Sequence, residues 1–364
     1  MTLPVALVDR WPSEEYRTQH TTIESALKHN VADARMLNNE VNTLRNIEQT
    51  FFEVANTDEA EMARIYFKKR KDQSIDRQFK QYIISLNEKL DRCIKFSDYP
   101  AMIMAAYPES KFLDKSRYWD EYENINGPIL IRGIANGKIA DHAIKNNKDY
   151  YFIETGYLGN YRCENNRTGR KVYHRIVKNA MQHPNIMDVP DDRWKQLVKF
   201  NPNLRYYGWR NSGSKILLVM STQKPFEYYG EDRDQWIKNT IATIKKHTDR
   251  EIVIREKAGR GERTNDTIYD ALGDDIYALV TYNSIAAVEA VQYGIPAFAL
   301  APTAAAPVCS NDLTQIENPV MHSEDIVYKW LCSIAYGQFS LNEMLSGEAW
   351  QLVLENNERQ ILSY

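Results

Sequence analysis

The sequence predicts an α/β fold of two open-sheet lobes with an additional helical segment at the N-terminus. Three observations carry this. Between residues 127 and 301, compact apolar runs alternate with amphipathic stretches, the pattern of strand–helix–strand units. Gly and Pro bound those runs. From about 20 to 95 both residues are absent, and apolar residues recur at helical spacing instead. A chain of 364 residues also exceeds one ordinary core and suits two lobes plus an extra element.

The elements follow in order. Residues 5–8 read as a short strand, and Trp11, Pro12 and Ser13 as a turn. The next stretch, with Leu27, Val31, Met36, Leu37, Val41, Leu44 and Ile47 on one stripe, reads as two or three amphipathic helices, so 1–95 forms the N-terminal segment. Apolar runs at 101–108 and 127–134, a helix at 135–147 and a strand at 149–159 compose a βαβ unit. They place a first lobe at 96–202, the acceptor side. The Asn-, Gly- and Pro-rich stretch 201–214 reads as a hinge. In the second lobe, 203–335, strands at 215–221, 251–257, 276–283 and 295–301 alternate with helices at 232–248, 264–275 and 284–294, a Rossmann-like pattern. The tail 336–364 reads as helical.

Composition narrows the function classes. A net charge of −3 does not mark the whole chain as a nucleic-acid binder, although local patches still count. Cys93, Cys163, Cys309 and Cys332 show no CxxC spacing, so reduced thiols are expected rather than a zinc site or a disulfide framework. The N-terminus lacks a signal-peptide pattern, and no apolar run approaches the roughly 20 residues that span a bilayer. A cytoplasmic protein without a transmembrane segment is expected.

In an open parallel sheet, ligands bind beyond the carboxyl ends of the strands. Tyr282, Asn283 and Ser284 lie where a strand passes into a helix, and Ser284 is placed as an N-cap beside N–H groups that suit a diphosphate. Glu289, on an otherwise apolar helix, can accept hydrogen bonds from both hydroxyls of a ribose. Arg255 ends the strand 251–257 and offers a forked contact to phosphate, with Lys257 and a Gly-rich loop after it. Ser221 and Thr222 add hydroxyls on the same rim. Each also has a plainer reading, as a helix cap, a surface carboxylate or a solvated ion pair.

The segment VTYNSIAAVEAVQYGIPAFAL resembles the donor-site signature of GT-B glycosyltransferases and related sugar-nucleotide epimerases. It is also similar to capsule-type transferases, whose pattern Asn283, Ser284, Glu289, Ala290, Gly294 and Pro296 fill. The resemblance covers about 215–320. It implies a GT-B fold and a nucleoside diphosphate sugar donor, UDP-glucose favoured, with Glu289 on the ribose and Ser284 near the diphosphate. Ile285 and Ala286 replace the Gly-Gly turn of many members. A magnesium ion would be carried by the diphosphate rather than by the protein.

Transfer to a hydroxyl needs a base. Glu154, at the end of a first-lobe strand, is the first candidate, and His142 and Asp141 in the preceding helix are the others. Arg132 shares that rim. Two basic stretches bear on the acceptor. Residues 64–95 carry ten Lys/Arg against four Asp/Glu, and 162–183 carry six against one. Arg170, Lys171, His174 and Arg175 in the second suit a phosphate backbone or another polyanion, or else a solvated face. Residues 127–194 also resemble phage-type glycosyltransferases. That implies double-stranded DNA bearing 5-hydroxymethyl-pyrimidines as the favoured acceptor, in the host cytoplasm. The alternatives are a surface or capsular polysaccharide acceptor, a sugar-nucleotide epimerase, and a non-catalytic binding module.

Overall fold

The computed structural model describes residues 6–9, 111–114, 118–125, 127–159, 173–210, 212–256, 267–340, 343–344 and 347–363. The expected N-terminal helices, the strand at 101–108, the basic stretch 64–95, Arg170, Lys171, Lys257 and the Gly-rich loop after it lie outside the described residues. The chain divides into two compact units: Met1–Pro128 with Leu341–Trp350, and Ile129–Ser340 with Gln351–Tyr364. Among the described residues no helix is long and apolar enough to cross a membrane.

In the first unit, β1 (Ala6–Asp9) pairs in parallel with β2 (Lys111–Asp114). A short helix, α1 (Tyr118–Glu121), buries Tyr118, whose ring meets Tyr122 edge-on at 5.6 Å.

The second unit holds two larger sheets. In one, β3 (Ile129–Arg132) and β4 (Tyr150–Thr155) are parallel and joined by α2 (Gly137–Lys145). This is the expected βαβ unit. The next two strands depart from expectation. β5 (Tyr173–Lys178) runs antiparallel to β4, and a strand far along the chain, Gln338–Ser340, runs antiparallel to β5. This sheet is therefore mixed rather than a Rossmann-like repeat, and the tail read as helical holds a helix, Glu348–Glu358, but also contributes short strands to the fold. A two-stranded pair, β6 (Ile186–Met187) with a strand at Ile361–Leu362, adds another.

The other sheet matches its sequence pattern. Its strands are β7 (Lys215–Val219), β8 (Glu251–Arg255), β9 (Ile276–Thr281) and β10 (Ala297–Ala299), all parallel, in the order β10-β9-β7-β8. Central β9 is buried at every position, whereas Ile254 on edge strand β8 is 49% exposed. Successive side chains go to opposite faces. Ile216, Leu218 and Met220 pack with Ile244, and with partly buried Trp236, Ile237 and Ile241. Leu217 and Val219 join Ala287, Val291, Val327 and Trp330.

Several helices cover these faces. Between β7 and β8 lie α3 (Asp192–Phe200)'s successors in sequence, α4 (Gln223–Tyr229) and α5 (Arg233–His247). Asp232 caps α5 by accepting from Gln235 N at 2.7 Å, and Lys245, Lys246 and His247 sit at its negative end. After β8 come α6 (Ile268–Ala271), α7 (Ala286–Gln292) and α8 (Glu324–Tyr336).

The stretch read as a hinge is fastened to this second sheet. Arg210 N donates to Gly294 O at 2.6 Å, Trp209 Nε1 to His322 O at 2.7 Å, and Ser214 N to Asp275 O at 2.8 Å. A side chain on Gly213 would overlap the backbone of Ile276. The same buried cluster contains Tyr157, Trp194 and Leu197 together with Leu217, Leu279 and Val288, so the two sheets share a core.

Candidate functional site

The strand order of the parallel sheet reverses between β7 and β9. A crevice opens beyond the carboxyl ends of strands at such a switch point. Here those ends are Met220-Ser221-Thr222 and Tyr282-Asn283-Ser284, and the structure brings them together. Ser221 Oγ lies 3.3 Å from Asn283 Oδ1 and 3.4 Å from Asn283 N, while Thr281 Oγ1 donates to Val219 O at 2.7 Å. Asn283, Ser284 and Glu289 are partly exposed, and Thr222 is exposed at the start of α4.

Helix α7 differs in detail from its sequence reading. It begins at Ala286, and Ser284 Oγ accepts from Ala286 N at 3.2 Å. The N–H groups of Ala287, Val288 and Glu289 are taken by the carbonyls of Ser284, Ile285 and Ile285. The N–H groups expected to be open to a diphosphate are therefore engaged by the turn itself. Every residue of α7 except Glu289 is buried.

The sequence places Tyr282 at the ligand, but the residue is only 4% exposed. Its ring stacks on Phe226 at 4.1 Å and meets Trp236 edge-on at 5.4 Å. Burial, with Glu231 and Tyr229 nearby, pushes its hydroxyl pKa up to about 12. Tyr282 is core that positions Asn283, and the Phe226 that covers it comes from α4, a helix the sequence pattern did not show.

Arg255 is partly exposed at the end of β8, and its Nη2 donates to Thr267 O at 2.8 Å. Beside it, Arg233 Nε donates to Ser221 O at 3.2 Å and Nη2 to Glu256 Oε2 at 2.7 Å. Sequence reading missed Arg233 because it looks like an ordinary residue of an amphipathic helix.

The carboxyl ends of β3 and β4 form a second polar group. Glu154 stands opposite Arg175 on the neighbouring strand and accepts from Thr155 N at 3.0 Å. Burial alone raises a carboxyl pKa. Arg175, the Thr155 N–H, Arg132 and His174 outweigh it and hold Glu154 below the usual range. Gly133, at φ +71°, lets the Glu154 carboxylate approach closely, since an added Cβ would lie 3.3 Å from its Oε2. His142 sits five residues into α2, roughly 7–8 Å along the axis from the helix start at the rim. Its carbonyl accepts from Asn146 Nδ2 at 2.8 Å. Asp141 accepts from Tyr228 OH at 2.7 Å.

His174 and Arg175 do not form the expected basic surface. They are 4% and 7% exposed, respectively. Arg175 donates to Met181 O at 2.9 Å and Thr155 O at 2.6 Å, and lies over the rings of Tyr157 and Phe152. The basic–aromatic mixture that suggested a polyanion contact is, in β5, a buried strand with its charge met by carbonyls and rings.

After β5 the chain turns at Asn179 (φ +53°) and returns as a strap that links both polar groups. Met181 O is held by Arg175, and His183 N donates to Tyr157 OH at 2.9 Å. Between them, Gln182 donates from Nε2 to Asn283 O at 3.1 Å and accepts at Oε1 from Ala304 N at 3.0 Å. Packing continues across this junction, because a Cβ on Gly137 would overlap the Tyr228 ring and lie 3.3 Å from Met181 Cε. Gln182 carried no signal in the sequence, since it lies in a stretch whose basic residues drew attention to charge.

No protein-family model matches the sequence, and no curated protein is similar to it in sequence. Among solved structures, the chain is similar to KpsC of Thermosulfurimonas dismutans, described as a beta Kdo 2,4 transferase. Identity is 11% and the TM-score 0.39, over 64% of this chain and 85% of that one. A second structure, KpsC described as a beta Kdo 2,7 transferase, gives 12% and 0.42 over 70% and 95%. Likenesses at these scores assign neither fold nor activity.

Proposed function

We propose that this chain is a glycosyltransferase that moves a sugar from a nucleoside diphosphate sugar, UDP-linked, to a hydroxyl of a glycan. The observation that supports it is the meeting of Ser221 and Asn283 at the switch point, next to a buried helix whose sole partly open residue is Glu289. A crevice of this kind suits a nucleotide. Glu289 would accept the ribose hydroxyls, and Thr222, Asn283 and Ser284 would surround the diphosphate, with buried Ser221 holding Asn283 from behind and Arg255 on the β8 side. A magnesium ion would arrive with the diphosphate. Among the described residues no group of three or more His, Cys, Asp or Glu is placed to hold a metal.

Glu154 is the preferred base because it lies at the strand-end rim, whereas His142 lies down its helix. Its lowered pKa keeps it ionised, which makes it a weak base that acts through placement. A DNA acceptor draws no support from β5, whose His174 and Arg175 are buried, and a surface or capsular glycan is preferred on the capsule-type pattern of Asn283, Ser284, Glu289, Ala290, Gly294 and Pro296.

Titration with UDP tests the donor site. Glu289→Ala removes hydrogen bonds to a charged acceptor and is expected to weaken UDP binding about tenfold or more. Unchanged affinity would show that the ribose lies elsewhere. UDP-sugars incubated with glycan acceptors, and with plain or hydroxymethylated duplex DNA, then separate the acceptor classes. Donor conversion in the absence of any acceptor would point to epimerase-type chemistry.

A further inference from the structure

We infer that Gln182 is a positioning residue for the nucleotide site, latching the turn after β9 and the loop after β10 to the strap from the first sheet. The inference rests on the donor-site reading above. It starts from Gln182 itself, a residue 9% exposed whose carboxamide has both ends committed. Asn283 O can only accept and Ala304 N can only donate, so the orientation of the amide is fixed by its partners.

The two segments it joins border the switch point. The first is the turn that carries Asn283 and Ser284. The second continues β10, with Leu300 N donating to Thr281 O and Ala301 N to Tyr282 O. Trp330 Nε1 supports that loop from behind at Ala304 O, 2.8 Å away. Gln182 is in turn immobilised by its neighbours. Met181 O is tied to Arg175, and His183 to Tyr157. The path from the Glu154–Arg175 strand pair to Asn283 is thus continuous: Arg175 to Met181, then Gln182, then the nucleotide turn. A residue that touches no ligand in this arrangement nonetheless sets where the ligand's partners stand.

The test uses the full chain, UDP as probe, and two variants at two pH values. Gln182→Ala removes both bonds. Gln182→Glu keeps an acceptor for Ala304 N but faces Asn283 O with an ionised oxygen at neutral pH. When protonated it regains a donor, and burial raises the pKa of such a carboxyl. Expected at pH 7.5 is a loss of UDP affinity of about tenfold in both variants, measured well below their melting temperatures. At about pH 5, Gln182→Glu is expected to recover affinity relative to Gln182→Ala, a rescue that mere loss of packing does not produce.

Equal loss in both variants at both pH values gives Gln182 a packing role and overturns the inference. So does wild-type affinity in both variants, which leaves the donor site standing. If the wild-type chain binds no UDP, the donor reading fails and the inference falls with it. Should Gln182→Ala not fold, the pH response of Gln182→Glu against wild type still decides.

Discussion

The imidazole of His183 shows how far one buried group can bias the whole chain. Tyr157 OH accepts from the His183 backbone N–H at 2.9 Å, so its own proton goes to Nδ1, also 2.9 Å away. That fixes the ring as the Nε2–H tautomer. Gly337 lets the ring pack close, since a Cβ there would lie 2.6 Å from Cε1 and 2.7 Å from Nδ1. Burial, then the Arg175 charge, lower its pKa from 6.5 to about 3. Between those values the unfolded chain binds a proton that the folded chain refuses. Stability therefore falls as pH drops below about 6.5, by up to about 1.4 kcal/mol per pH unit. Because the residue is partly exposed, this slope is an upper value. His183→Asn keeps an acceptor for Tyr157 OH and removes the titration. Denaturant melts from pH 7 to 5 are expected to show a flatter curve for the variant, even if its baseline is lower. Parallel curves would mean that His183 protonates in place.

At the scale of elements, two glycines with left-handed backbone predict losses of different size. Gly294 (φ +83°) closes α7, and a Cβ there would overlap the carbonyl oxygen of Gly208. That carbonyl cannot retreat freely, since Arg210 N donates to Gly294 O two residues on. Gly230 (φ +74°) ends α4 with nothing within 4 Å of the same position. Gly294→Ala is expected to cost roughly 3 kcal/mol or more, strain plus overlap, and Gly230→Ala about 1 kcal/mol, strain alone. Equal shifts in urea midpoint would refute the close approach. The same contrast shows what the sequence made legible. The four parallel strands could be read because each is an apolar run bounded by Gly, Pro or charge. The Gly294-x-Pro296 signature was visible, but not its cause, which lies in a connector some 85 residues earlier. Strand β5 was hidden because Tyr173, His174, Arg175 and Lys178 read as a polar surface, and its partner at Gln338–Ser340 is three residues long. Asn283 and Ser221 were legible as strand ends, whereas the burial of Tyr282 depended on Phe226 from an unforeseen helix.

At the scale of the whole molecule, the expectation of two lobes joined by a hinge implies two folding units within 129–340. The bonding implies one. Gln338, on the strand beside β5, accepts from Tyr157 N at 2.7 Å and Leu158 N at 2.9 Å, although it directly follows α8 and Gly337. Arg193 of α3 donates to Ala335 O and Gln338 O, and Ser333 Oγ accepts from Met187 N at 3.0 Å. Gln292 of α7 donates to Leu204 O at 2.8 Å. Few of these bonds survive if either sheet melts alone, and buried partners left unsatisfied cost about 1–3 kcal/mol each. The two sheets are therefore expected to unfold together. Native-state hydrogen exchange in rising denaturant tests this: the slowest amides of β4 and β9 should merge onto one free energy with one dependence on denaturant. If β9 stays protected at concentrations where β4 has already exchanged, the sheets are independent lobes, and the strap at Met181–His183 is a contact between domains rather than part of one core.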